Sequence, residues 1–160
     1  MRLLIAAVGK LKQGPDRELY AHYLARAEAL GRSLSLAPLA NLEFPESRAG
    51  SGSARMAAEA TTLLAKVPPS YMLICLDPAG KMQSSEAFAG SLAKFRYNGA
   101  PGLAFLVGGP DGLGQAARDK ANLVLSLGPM TLPHGLARIV LAEQLYRAMT
   151  IIAGHPYHRA

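Results

Sequence analysis

At 160 residues, half of them apolar and 18% charged, the chain is long enough to bury one real core and too apolar for a disordered segment. Seventeen Lys and Arg against eleven Asp and Glu leave a net charge of +6, which favours anionic partners, nucleic acid first, although a merely basic enzyme carries the same balance. The single cysteine, Cys75, excludes an internal disulfide and fits a reducing cytoplasm, and nothing approaches the roughly 18 apolar residues of a membrane span.

The opening MRLLIAAVGK starts like a signal peptide. Its apolar run stops at Gly9 and Lys10 without a small-residue cleavage site, so it reads as a first strand, Arg2 to Gly9. PDRELYAHYLARAEALG follows, with Leu19, Tyr23, Leu24, Ala27 and Leu30 on one helical face and a stop at Gly31. The apolar run Leu34 to Leu39 is expected as the second strand. FPESRAGSGSAR, rich in Gly and Ser, reads as a mobile loop before the helix SARMAAEATTLLAKV. A strand from Tyr71 to Asp77 leads to a helix capped by Ser84 or Ser85. A strand from Gly102 to Gly109, the short helix GQAARDKA, a strand from Asn122 to Gly128 and a last helix from about Pro133 to Ile152 complete the chain. Strand and helix alternate throughout, and most strands are apolar on both faces. The reading is a single α/β domain over residues 1–160, a mainly parallel sheet with helices on both faces.

The last helix is apolar around nearly its whole circumference. Only Glu143 and Arg147 form a polar stripe, with Arg138 alone on the far side. A helix of this kind is buried on every side. A domain of this size is expected to leave such a helix partly uncovered, so the expected cover is a second subunit.

Three small-residue turns follow three consecutive strands: LDPAGK, LVGGPDGLGQAA and LSLGPMTLPHG. In parallel α/β sheets the ligand crevice lies at the carboxyl ends of the strands. Gly112, Gly114 and Ala117 satisfy G-x-G-x-x-A, but the match is not on the first strand. After Asp119 the next acid is Glu143, inside the last helix, so dinucleotide binding is rejected. No G-K-[ST] follows for a P-loop and no G-x-S-x-G for a serine hydrolase. His134, His155 and His158 have no cysteine nearby and the tail has no carboxylate, which argues against zinc. What remains is one pocket of backbone amides and carbonyls, suited to a purine and a small polar group.

Read together, LIAAVGK, GKMQSSEAFA, LVGGPDGL and LGPMTLPHGLARIVLAEQLYRAMTIIAGHPYHRA strongly resemble the bacterial ribosomal RNA large-subunit pseudouridine N3-methyltransferases of the SPOUT class. The likeness covers most of the chain, is densest over the last sixty residues and is weakest from about Ser33 to Pro69. It implies a C-terminal trefoil knot holding S-adenosylmethionine, a cytoplasmic homodimer without metal, and a pseudouridine of 23S ribosomal RNA in the assembled ribosome as substrate. Carried onto this chain, the cofactor positions are Leu76, Gly109, Gly128, Pro129, Met130, Thr131, Leu132 and Pro133. His155, Tyr157, His158 and Arg159 of the tail fall to catalysis, and Arg138, Glu143 and Arg147 to the substrate. The alternative from another class is a non-catalytic basic RNA- or ribosome-binding protein, which needs no cofactor pocket.

Overall fold

The computed structural model describes residues 1–159. Five strands, β1 (Arg2–Val8), β2 (Leu39–Phe44), β3 (Met72–Met82), β4 (Gly102–Val107) and β5 (Leu123–Ser126), form one all-parallel sheet in the order β2-β1-β4-β3-β5. Between them run α1 (Pro15–Ser33), α2 (Gly52–Lys66), α3 (Ser85–Tyr97) and α4 (Gln115–Asp119), and α5 (His134–Ile152) follows β5.

Local chemistry sets the helix starts. Pro15 opens α1 with its φ already helical, and Asp16 and Glu18 complement the positive end of the helix. The Ser51 hydroxyl accepts from the Ala54 amide at the start of α2, and Ser84, of the two expected serines, accepts from Ala87 at the start of α3. Gly31 does not end α1. It lies in its last turn, where an added Cβ would sit 2.7 Å from the Leu36 carbonyl oxygen, so its bareness lets the chain turn back closely.

Successive strand residues point to opposite faces. Leu3, Ile5 and Ala7 join one core with α1, α3 and α5, while Leu4, Ala6 and Val8 join the other with α2 and α4.

Three expectations change. The second strand is Leu39–Phe44 and not Leu34 to Leu39. Leu36 is buried in the turn before it, where its amide bonds the Gly31 carbonyl. As an edge strand, β2 has one neighbour and keeps Asn41 exposed, so it lacks the continuous apolar run of a central strand. The Gly/Ser-rich segment is tied down: Glu59 accepts from the Ser47 amide at 2.8 Å, and Arg55 reaches both the Ala49 carbonyl and Asp111. Finally, the chain itself covers most of α5. Leu141, Ala142, Leu145, Ala148 and Met149 are fully buried in a single copy, packed against α1 and α3. A single copy thus covers most of the apolar circumference and leaves Leu136 exposed.

Candidate active site

β5 lies beyond β3, at the edge opposite β2, so the chain passes from β4 over β3 to reach it. This crossing gathers the three turns at the carboxyl ends of β3, β4 and β5. β3 breaks its register with β5 between Leu76 and Lys81, and Asp77 to Gly80 bulge out there. A Cβ on Gly80 would meet the Val124 and Leu125 backbones at 2.8 Å. A Cβ on Gly108 would collide with the Gly112 carbonyl, and one on Gly114 with the Met56 carbonyl. The glycines are there because backbone packs on backbone, as the small-residue turns foreshadow.

The three turns enclose a cleft of about 240 Å³. Leu76, Gly109, Gly128, Met130, Thr131 and Leu132 line it, six of the eight expected cofactor positions. Pro129 and Pro133 shape the third loop without lining the cleft, and Pro133 occupies the N-cap position of α5. Among the described residues the lining has two ionisable side chains, Asp77 and His134. Asp77 is committed to Arg118 at 2.9 Å and to the Ala79 amide at 2.9 Å. His134, at the first position of α5, is held below the usual histidine pKa by burial first and by the Arg138 charge second. It is a neutral wall. Sequence reasoning considered His134 only as a metal ligand; its place directly after the third glycine–proline turn is the signal that would have put it on the cleft. The cleft thus offers backbone groups, apolar side chains and a neutral ring, which suits a flat heteroaromatic ligand whose charge need not be matched. Its bare glycine walls fit the adenosine and methionine parts of S-adenosylmethionine.

Arg138 does not reach this cleft. It is 0% exposed, donates to the Gly9 carbonyl at 3.0 Å, ion-pairs with Glu43 and lies 4.9 Å over the Tyr20 ring. The expectation that it touches substrate gives way to a buried tie between α5, β1 and β2. Burial works against the Glu43 carboxylate, but hydrogen bonds from Arg138 and the Leu11 amide hold its pKa below the usual value. Burial also raises the Tyr20 pKa to about 12, against the pull of Arg138.

Glu143, Arg147, Tyr157 and His158 do come together. One oxygen of Glu143 accepts from Arg147 at 2.6 Å and 2.9 Å and from the Tyr157 hydroxyl at 3.1 Å; the other accepts from Gln144 at 2.7 Å. The Tyr157 ring meets Tyr146 edge-on at 4.7 Å, with Arg26 and Arg147 over its faces. His158 lies 2.7 Å from Glu86 and 3.4 Å from Arg147. His155 accepts from the Tyr157 amide, and Arg159 is exposed. The tail therefore folds back along α5, fastened at Tyr157. None of His155, Tyr157, His158 or Arg159 lines the cleft of its own chain. Burial, then the hydroxyl of Tyr23 and the carboxylate of Glu143, push the Tyr157 pKa well up, so its phenol is a donor across the working pH range.

A five-stranded parallel sheet whose ligand cleft is built from crossing glycine loops at its carboxyl edge defines an α/β nucleotide-type binding protein. Residues 1–158 match the family described as "Predicted SPOUT methyltransferase". The chain is 52% identical over 160 residues to the ribosomal RNA large subunit methyltransferase H of Xanthobacter autotrophicus, across the whole of both chains. It is likewise 52% identical over 160 residues, the whole of both, to the protein of that name from Rhodopseudomonas palustris. Solved structures share the fold. A probable methyltransferase from Bordetella pertussis Tohama I superposes with a TM-score of 0.50 at 14% identity, over 92% of this chain and 96% of that one. A probable methylase family protein from Haemophilus influenzae gives 0.52 at 14%, over 99% and 70%. The chain belongs to the SPOUT methyltransferase family. Among the described residues no helix is long and apolar enough to cross a membrane, and no group of three or more His, Cys, Asp or Glu is placed to hold a metal ion.

Proposed function

We propose that this protein is an S-adenosylmethionine-dependent methyltransferase acting on N3 of a pseudouridine in 23S ribosomal RNA, on the assembled ribosome in the cytoplasm. One observation carries the reading: the three glycine turns form a cleft without a free ionic partner, in a chain that matches ribosomal RNA methyltransferases over its full length. The trefoil knot belongs to the same reading, supported by the passage of the chain over β3 between β4 and β5.

S-adenosylmethionine supplies an electrophilic methyl on a sulfonium, so the chain's residues must align the nucleophile and help it lose a proton. Leu76, Gly109 and the 128–133 loop hold the cofactor. N3 of the pyrimidine becomes nucleophilic on deprotonation, and cations beside it favour the anion. Arg159 and Arg147 serve there, with His155 or His158 accepting the proton. Tyr157, kept protonated, donates a hydrogen bond and holds Glu143 and Arg147 in place.

A tail that does not line its own cleft is matched by a homodimer, in which a second copy brings its tail to the first cleft. Leu136 is 44% exposed at the start of α5 and offers contact area. The test uses a chain ending at Gly154 and ribosomes lacking the modification. The shortened protein is expected to bind S-adenosylmethionine in calorimetry and to transfer no labelled methyl. Transfer at the full rate would remove the tail from the mechanism. Absence of any cofactor heat at millimolar ligand in the intact protein would favour the non-catalytic RNA-binding reading.

A further inference from the structure

A second cavity, of about 340 Å³, lies on the other side of the β5–α5 turn. It is built from the segment before α3, the start of α3, the end of β5 and the middle of α5. Leu125, Leu127 and Gly128 line both cavities. At Gly128 the border is bare, since an added Cβ would meet nothing within 4 Å. The side chains around the second cavity are uncharged: Gln83, Ser84, Ser85, Ser126 and Gln144 supply the polar atoms, and Phe88 is among the apolar ones. A volume near the lower end of ligand pockets, with amides, hydroxyls and an aromatic edge but no charge, fits one neutral heteroaromatic ring better than a phosphate or a charged peptide.

The polar groups are locked in sense. Glu143, ionised, can only accept, so Gln144 must turn its Nε2 towards it, at 2.7 Å. The Gln144 Oε1 is then an acceptor facing Ser85, whose hydroxyl donates to it at 2.7 Å. With its only proton committed, Ser85 Oγ presents lone pairs alone to anything in the cavity. Gln144 keeps one free N–H. Arg147 and Tyr157 hold Glu143 in turn, so the polarity at Ser85 is set from three residues away.

We propose that this second cavity receives the pyrimidine to be methylated, with its N3 edge towards Gly128, and that Ser85 accepts a hydrogen bond from N1–H. That N–H is the donor pseudouridine has and uridine, joined to its sugar through N1, lacks. The inference rests on the methyltransferase reading above and adds a residue that sets specificity. A site built to accept a hydrogen bond is left with an unpaired acceptor when the wrong isomer enters, the kind of loss that discriminates between near-identical ligands.

Two methionines report the two cavities separately: Met130 lines the first and is 81% exposed, while Met82 lines the second and is 64% exposed. Protein labelled with carbon-13 at the methionine methyls, its signals assigned with Met82→Leu and Met130→Leu, is first saturated with S-adenosylhomocysteine. Pseudouridine and uridine nucleosides are then titrated in. The Met82 methyl is expected to shift with both, about five-fold more tightly with pseudouridine, the worth of one ordinary hydrogen bond. Ser85→Ala should bring pseudouridine down to the uridine level and Ser85→Thr should restore the preference, with the Met130 response to S-adenosylhomocysteine unchanged in both. A silent Met82, equal affinity for the two nucleosides, or a preference that survives in Ser85→Ala would overturn the proposal. A Met82 signal that moves with protein concentration alone would overturn it too, assigning the cavity to a contact between copies. A Met130 signal that ignores S-adenosylhomocysteine would instead sink the methyltransferase reading.

Discussion

Arg138 is the largest fully buried side chain in the molecule, and it is charged. Taking a guanidinium out of water is unfavourable unless a carboxylate and further acceptors replace the lost hydration; Glu43 and the Gly9 carbonyl do so for its two terminal nitrogens, while Nε is buried without a partner among the described residues. Arg138→Ala leaves Glu43 without its partner and opens a void beside Tyr20, so it should lower unfolding free energy by about 3 kcal/mol in urea titrations. A loss below about 1 kcal/mol would show the pair to be dispensable. Glu43 has a folded pKa below its ordinary 4.5. Its contribution is therefore present above that ordinary value and disappears as pH falls through it towards the folded one. Melting temperature between pH 6 and pH 3 should fall less steeply in Glu43→Gln than in the native protein; equal slopes would contradict the linkage. None of this was legible in the sequence. Arg138 and Glu43 are 95 positions apart, and helical spacing reveals only neighbours three or four residues away. By contrast Glu143 and Arg147, four apart, were legible as a pair.

Among the elements, α5 shows that an apolar circumference does not by itself require a second subunit. Its apolar circumference does mean burial, but α1, α3 and the sheet supply the cover, because α5 follows an edge strand and lies back across the face that α1 and α3 flank. Leu145→Asp places a carboxylate at a fully buried position in the apolar core. It should abolish cooperative folding, with loss of near-ultraviolet dichroism, and should not yield a folded monomer. The glycine turns were legible for the opposite reason: in Gly-Gly-Pro-Asp-Gly, Gly108 packs directly on the Gly112 backbone and Gly112 takes a positive φ, roles that suit glycine alone. Gly114→Ala forces a methyl against the Met56 carbonyl and to 2.9 Å from the Ala60 Cβ. We expect a destabilisation of about 1–3 kcal/mol and weaker binding of S-adenosylmethionine by calorimetry; unchanged values for both would mean that α2 yields freely. β2 was misplaced by five residues because, as an edge strand, it buries no side chain fully, whereas Leu36 in the turn before it is buried and reads as core.

At the scale of the whole molecule, cleft and tail are separate constructions on one chain, which the proposed dimer would bring together. Sedimentation at micromolar concentration should give a dimer. Mixing a chain ending at Gly154 with a Gly108→Val chain, each inactive alone, should restore part of the methyl transfer, because one of the two sites in a mixed dimer has an intact cleft and an intact tail. No restoration from a verified mixed dimer would place cleft and tail of a single chain together. The position of α5 has another consequence, for biosynthesis. It is made after every other helix and strand, yet it supplies Leu141, Leu145 and Met149 to the core that β1, β3 and β4 share with α1 and α3. While the polypeptide is being made, α1 and α3 alone flank that side of the sheet, and the apolar side chains that α5 will cover stand open to water or to a chaperone. The other side, covered by α2 and α4, can close first. A nascent chain arrested before residue 134 should therefore be half-built in a defined sense: protected from protease along α2 and cut along α1.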